Sequence, residues 1–314
     1  MKKNIHIVLV LLFLQLSVTA QPPKGYFNTL EAALKTPDQV EYLNLSSSDL
    51  SAVPAEIAGF KNLKQLDLGD NQIKIIPAFI TDMQGLEYLR LDNNPLRGLP
   101  LQFSRLQNMK RLLAKGIELK SLPDGIEKMT LLEQLDLEGN EIEELPDNIG
   151  NLLQLKVLNL SFNRLKRIPL TMNRLKKLHT LGLVNNNLQE LPDNIDGMVE
   201  LQTLQLSNNK LAKIPAAVYR LRQLRSLGLD FNRIESISDD IGNLTSLEQL
   251  NISNNLFKQL PVQKLRKLKR LRYFLLSGNG FSSEYLEELK KIFRERLNAR
   301  QSAAEPDRRL RRFN

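Results

Sequence analysis

The chain reads as an α/β solenoid, a row of stacked strand-and-return units, and three observations predict it. First, apolar residues recur in a fixed phrase. Leu132, Leu135, Leu137, Asn140, Ile142, Leu145, Pro146, Ile149 and Leu152 are matched by Leu155, Leu158, Leu160, Asn163, Leu165, Ile168, Pro169, Met172 and Leu175. A third copy runs Leu178, Leu181, Leu183, Asn186, Leu188, Leu191, Pro192, Ile195 and Met198. Second, the step between copies is constant at 23 residues, from Leu132 to Leu155 to Leu178, and a fixed period of this size marks stacked supersecondary units. Third, the phrase LxxLxLxxNxLxxLPxxIxxLxx changes character halfway, from strand-like alternation to a Leu-Pro step and wider apolar spacing.

The letters of one unit follow from its physics. Leu135 and Leu137 alternate with polar residues, which suits a short strand buried on one face. Asn140 stands where the chain turns inward, and its amide can donate to and accept from backbone groups of adjacent turns. Without such a partner each buried group would cost about 1–3 kcal/mol. The LPxxIxxL half returns along the outer side as a short helix or 3₁₀ segment, with Pro146 expected at a first helical position. One coil cannot bury its own leucines, but stacked copies can.

These residues resemble the leucine-rich repeat family, in its 23-residue form with a Leu-Pro step. The match covers residues 40–281, with Asn71, Asn94, Asn140, Asn163, Asn186, Asn209, Asn232, Asn255 and Asn279 in the ladder position. The resemblance implies a right-handed horseshoe with a parallel sheet on its concave side, used to grip other proteins. The lettering gives about ten full repeats and one partial repeat, with helical caps at both ends.

In chain order, Met1–Ala20 has the form of a secretory signal peptide: Lys2 and Lys3, an apolar Ile5–Leu16, and Val18-Thr19-Ala20 before Gln21. Its apolar run is shorter than the ~20 residues that span a bilayer. The Ala20-Gln21 junction resembles those of exported proteins of Gram-negative bacteria, and cleavage there implies a secreted, periplasmic or cell-surface protein. Residues 21–39 give a spacer and a cap helix over Thr29–Lys35, with Asn28 as N-cap and Glu31 reaching back. Leu30, Ala33 and Leu34 supply the apolar side of that cap.

The repeats fill residues 40–281 as one domain. Ser48 replaces the ladder asparagine of repeat one. Repeat four, from Met109, carries Ile117 there, and an isoleucine cannot bond the turn, so this rung should be distorted. Ser238 replaces the proline of repeat nine, and repeat ten, from Leu247, runs one residue long before the partial repeat at Leu271. Residues 282–300 form a C-terminal cap helix whose stripe is Leu286, Leu289, Ile292, Phe293 and Leu297. Residues 301–314 have the composition of a basic disordered tail.

Chemistry is scarce. There is no cysteine and only His6 and His179, which excludes thiolate sites, disulfides and, once the leader is gone, any His-His metal pair. No GxxxxGK[ST], GxGxxG, HExxH or GxSxG occurs. No catalytic, cofactor or metal residue and no small-molecule substrate is expected. Repeat effectors of bacteria that carry a ubiquitin-ligase domain need a catalytic Cys, which this chain lacks. The Asn-x-Ser/Thr sequons at Asn44, Asn159, Asn243 and Asn251 mostly arise from repeat lettering. The net charge of +9 lies in residues 261–314, where 15 Lys+Arg face 6 Asp+Glu, while the remainder balances at 29 each.

What remains is surface. Side chains between the strand leucines point to the concave face. Eleven strands at about 4.8 Å make it on the order of 50 Å long. Its centre over repeats three to five reads Tyr88, Arg90 and Asp92; Arg111, Leu113 and Lys115; Gln134, Asp136 and Glu138. An exposed leucine ringed by Arg and Tyr has the composition of an interface hot spot. The candidate protein-binding residues are therefore Tyr88, Arg90, Arg111, Leu113, Lys115 and Gln134, with Asp136 and Glu138 as an acidic border. Leu113 could instead turn inward where Ala114 leaves space. Phe162 and Phe231, just before their ladder asparagines, read as rung-to-rung packing, with further binding anchors as the alternative. His179 reads as an ordinary polar residue of this face.

The function read from these residues is a non-enzymatic, exported scaffold that binds a protein partner of unknown identity. One alternative is attachment of the basic C-terminal end to an anionic surface, membrane or polysaccharide. The aromatics there read as core, which argues against nucleic acid. Another is an intracellular signalling regulator, similar to the Ras-associated repeat proteins of eukaryotes, should the leader not be one.

Overall fold

The computed structural model describes residues 24–293. The leader Met1–Ala20, the distal part of the C-terminal cap with Leu297, and the tail 301–314 lie outside the described residues.

Short strands occupy β1 Tyr26–Phe27, β2 Tyr42–Asn44, β3 Gln65–Asp67, β4 Tyr88–Arg90, β5 Arg111–Leu113, β6 Gln134–Asp136 and β7 Val157–Asn159. They continue as β8 Thr180–Gly182, β9 Thr203–Gln205, β10 Ser226–Gly228, β11 Gln249–Asn251 and β12 Tyr273–Leu275. All join one parallel sheet in sequence order, the concave wall of a right-handed horseshoe. Register keeps the period: Leu43 pairs with Leu66, Leu66 with Leu89, and so on to Leu250 with Phe274. This spine is buried throughout, so each repeat lends its leucines to the next.

The outer wall is built of short turns such as 3₁₀ Ala55–Gly59 and Asp147–Asn151, with one five-residue α-helix, α2, at Ala78–Asp82. The proline of the Leu-Pro step stands one place earlier than predicted. Pro146 is the cap residue, extended at ψ 144, and its carbonyl accepts from the Ile149 N–H at 3.0 Å. A proline has no N–H to waste there, while its carbonyl starts the turn. Ser238, the exception, caps with its side chain, accepting from the Asp240 N–H at 3.1 Å. The N–H that a proline would lack donates to the buried Tyr219 hydroxyl at 3.2 Å.

The ladder works as the lettering predicts. Asn163 Nδ2 donates to the carbonyls of Leu137 (2.9 Å), Leu160 (3.1 Å) and Ser161 (3.3 Å), while Oδ1 accepts from Ile142 N–H at 3.0 Å. At Ile117 the missing amide reroutes the backbone. The Leu96 N–H turns to the Asn94 carbonyl at 2.9 Å, Asn140 Oδ1 accepts from both Ile117 (3.1 Å) and Leu119 (3.0 Å), and Glu118 adopts φ 58. Repeat one behaves alike at Ser48: Asn71 Oδ1 takes two N–H groups, and Asp49 adopts φ 54. The long tenth repeat shows in Asn279, whose rung bonds reach 22 and 27 residues back rather than the 21 and 26 of Asn163.

The N-terminal end departs from expectation. Helix α1 is Leu30–Leu34, and its N-cap is Thr29, which accepts from Ala32 N–H at 3.2 Å, not Asn28. Glu31 bonds Lys35 instead of reaching back, and Leu34 is exposed, leaving Ala33 and Leu30 as the covering residues. Strand β1 adds a twelfth strand where a spacer was expected, with Tyr26 stacked on Tyr42 at 4.6 Å. At the other end α3 (Val262–Leu265) forms the last outer turn, and α4 (Ser283–Ile292) closes the core with buried Leu289 and Phe293, the latter edge-on to Phe274 at 5.5 Å.

Candidate protein-binding face

Strand alternation places all eight candidate residues on the concave side. Tyr88, Arg111 and Gln134 are register partners in one row, and Arg90, Leu113 and Asp136 in the next. Lys115 and Glu138 follow one buried residue beyond their strands.

Leu113 is half-buried and lies outside the core cluster, while Ala114 is fully buried. The leucine therefore faces outward between Arg90 and Asp136 and does not turn in. Its surroundings are less free than the sequence suggests. Arg90 is held by three carboxylates: Asp70 at 2.7 Å, Asp92 at 2.8 Å and Asp67 at 3.3 Å. Burial works against its charge, but the bonds to Asp92 and Asp70 outweigh it and hold the guanidinium above its ordinary pKa. Gly69 makes this possible, since any side chain there would occupy the space of the guanidinium. Burial pushes the Asp67 carboxyl up despite Arg90, whereas the Asn93 amide, at 2.6 Å, and Arg90 hold Asp70 low.

Lys115 is bound to Glu138 at 2.8 Å. Arg111 lies over the Tyr88 ring, 4.8 Å from its centroid, and burial raises the Tyr88 phenol. Asp136 has no ion pair with any described residue. Its Oδ1 accepts from the Glu138 N–H at 3.1 Å, and burial, with Glu138 and Asp92 nearby, pushes its carboxyl up to about 6. The sequence reading missed Asp67 and Asp70 as partners of Arg90, although Asp67 stands one repeat, 23 residues, before it.

Two further residues fall differently. Phe231 is 46% exposed rather than packed between rungs, at φ 54 in the place before the ladder asparagine. His179 lies just before β8, with Nε2 3.4 Å from Glu200. Among the described residues no helix is long and apolar enough to cross a membrane.

Comparison with known proteins agrees with this architecture. A family model described as a leucine-rich repeat region matches residues 171–301, and leucine-rich repeat models match residues 38–96 and 131–152. No curated protein matches the chain. Among solved structures, a leucine-rich repeat protein of Leptospira interrogans is 29% identical, covering 82% of this chain and 77% of its own, with a TM-score of 0.61. The ectodomain of the Arabidopsis thaliana membrane receptor kinase GASSHO1/SCHENGEN3, solved in complex with CASPARIAN STRIP INTEGRITY FACTOR 2, is 28% identical. It covers 80% of this chain and 35% of that one, with a TM-score of 0.69. An internalin of Listeria monocytogenes, at 22% identity over 78% of this chain and 76% of its own, shares the fold with a TM-score of 0.62. With its repeat phrase, its asparagine ladder and these matches, the chain belongs to the leucine-rich repeat family.

Proposed function

We propose that this chain is a non-enzymatic scaffold that works outside the cytoplasm and binds a protein partner on the concave face of repeats three to five. Tyr88, Arg90, Arg111, Leu113, Lys115, Gln134, Asp136 and Glu138 form the centre of that site. The observation that carries the reading is Leu113, an outward leucine with no place in the core, set among side chains that hold one another in position. Covering what remains exposed of it gains on the order of 1 kcal/mol. A surround already ordered spares the partner the entropy of ordering it.

Charge refines the partner. Arg90 faces three carboxylates, which leaves two negative charges in excess, and Lys115 offsets Glu138. Arg111 lies over the Tyr88 ring and Asp136 has no ion pair with any described residue, so these two balance in number only. The complement is a protein segment with an apolar anchor for Leu113 and basic side chains around it. A receptor ectodomain of like fold, solved in complex with CASPARIAN STRIP INTEGRITY FACTOR 2, supports a protein or peptide ligand. Export rests on Met1–Ala20.

A photo-crosslinking residue at Gln134, in the native cells, tests the site. One discrete protein adduct is expected there and none from Leu170 on the outer wall; adducts from Leu170 alone would move the site off the concave face. Mass spectrometry of the native protein should find Gln21 as its first residue, and an intact Met1 would remove the export reading.

A further inference from the structure

We propose that the last full turn of the solenoid is a docking surface for an anionic phospholipid membrane, formed by Arg266, Lys267, Lys269, Arg270 and Arg272. The segment from Lys264 to Arg272 reads Lys-Leu-Arg-Lys-Leu-Lys-Arg-Leu-Arg. Leu265, Leu268 and Leu271 are buried, and the five cations between and after them are exposed. A buried leucine at every third place fixes the backbone on the core and turns everything between outward. The repeat geometry itself presents the charges.

Elsewhere the solenoid repeatedly pairs such a cation with an acid one turn away, and a few, such as Arg174 and Lys177, bond an amide of that turn instead. Lys64 meets Glu41, Arg105 meets Asp82, Lys110 meets Glu87, Lys156 meets Glu133 and Arg164 meets Glu141. Each of these pairs spans 23 residues. The last full turn gives five of its cations neither partner. The preceding turn offers Gly242, Asn243, Thr245 and Ser246 at the matching places, none of them charged. Lys264 and Lys267 lie over Gly242, 3.6 and 3.8 Å from where its side chain would begin. Glu248, one turn before Arg272, is engaged by Arg225 at 3.9 Å. Only Lys264 finds an acid, Asp239 at 3.2 Å. The five others make no ion pair with any described residue. No further outer turn follows among the described residues to supply one; in α4, Glu287 is taken by Lys290 at 2.7 Å.

Five unneutralised cations on one turn repel each other and bring the fold no benefit, so the compensation lies in a polyanion. Three features favour a lipid surface. No aromatic interleaves the charges from Lys264 to Arg272, and the single exposed Tyr273 after them is no platform for successive bases. Long stems without a fixed geometry suit the diffuse field of a membrane, where clusters of this size bind and each cation is worth about fivefold in affinity. Tyr273 and Leu275, both exposed on β12 beside Arg272, add the aromatic and apolar contacts typical of a membrane interface.

Co-sedimentation of the full chain with phosphatidylcholine vesicles, with and without about one-third phosphatidylglycerol, tests this. Binding is expected only to the anionic vesicles, and salt should release it. R266Q/K269Q/R270Q should weaken it about a hundredfold, three charges at about fivefold each. The exposed control set K210Q/K213Q/R222Q should stay within about twofold. Should the triple variant melt early, K269Q and R270Q singly, each about fivefold weaker, carry the test. Equal binding by wild type and variant, or equal loss in the control, overturns the proposal. So does retention on heparin without vesicle binding, which gives the surface to a polysaccharide. The crosslink at Gln134 should persist in the triple variant, so the two proposals fail separately.

Discussion

Replacing Asn140 by Ala should destabilise the solenoid by on the order of 3–5 kcal/mol, against about 1–3 kcal/mol for the same change at Asn163. The difference follows from counting what each amide leaves behind. At Asn163 the three carbonyls keep other donors: Leu137 from Asn140, Leu160 from Asn186, and Ser161 from the Gly139 N–H. Only the Ile142 N–H is orphaned. Asn140 stands next to the rung where Ile117 replaces the asparagine. Its loss orphans two donors, the Ile117 and Leu119 N–H groups, together with the Ala114 carbonyl, which has no ladder amide at residue 117 to fall back on. Three buried groups against one gives the larger cost, reduced by local relaxation of the kind that already turns Leu96 N–H to Asn94. Urea melts give the totals, and amide exchange at Leu119 and Ile142 localises them, since repeats open in units. Equal losses for the two variants would refute the ladder accounting.

Three other outcomes follow from the same structure. Because burial raises the Asp136 carboxyl to about 6, above the ordinary value of about 4, the folded state holds its proton more tightly. Its contribution to stability is fully present below about pH 4 and is lost as pH rises through 6. Asp136→Asn should abolish that slope and gain about 1–3 kcal/mol near neutral pH, and a wild-type profile flat over this window would contradict it. Tyr219→Phe should cost about 1 kcal/mol by orphaning the Ser238 N–H, yet almost nothing in a Ser238→Pro background, where that N–H is absent; additive effects in a double-mutant cycle would deny the contact. Leu113→Asp should leave the melting curve unchanged and abolish the Gln134 crosslink; a lowered melt would place Leu113 in the core after all.

The 23-residue period made the sheet, the spine and the ladder legible, because each is fixed by which residues must be buried and which backbone groups must then be bonded. Even the distorted rung at Ile117 could be read, as the loss of one amide with known duties. Features set by neighbours rather than by period were not legible. Tyr26 and Phe27 carry no repeat lettering, and become a strand only because β2 offers an unpaired edge. Thr29 and Asn28 are both good caps, and the turn chose Thr29. Arg90 carries no sign in its own repeat that Asp67 and Asp70 hold it. Asp67 becomes its partner only once the register is drawn, whereas Asp92 stands two residues on along the same face.

The two halves of the concave face argue for where a ligand rests. From β7 onward the outward strand positions carry Val157, Thr180, Thr203 and Ser226, with Asn159, Gly182, Gln205 and Gly228 beside them, none of them charged. Gln205 Nε2 donates to Ser226 Oγ at 3.0 Å, and its amide fills the space that a side chain at Gly228 would need. These groups lie along the sheet and satisfy one another, leaving a smooth surround. Long side chains crowd the first half, from Tyr42 to Glu138, and return on the last strand with Tyr273 and Leu275. Phe231 stands out between β7 and β11: large, 46% exposed, and held at φ 54 in a place that Phe162 also takes but that Asn185, Asn208 and Asn254 fill elsewhere. A bulky residue in that conformation is strained by about 1–3 kcal/mol, and asparagine tolerates it better. Phe231→Asn should therefore stabilise the fold by about 1 kcal/mol. If the footprint is confined to repeats three to five, capture at Gln134 should be unchanged; weakened capture by this more stable variant would extend the site to repeat nine and refute the confined footprint.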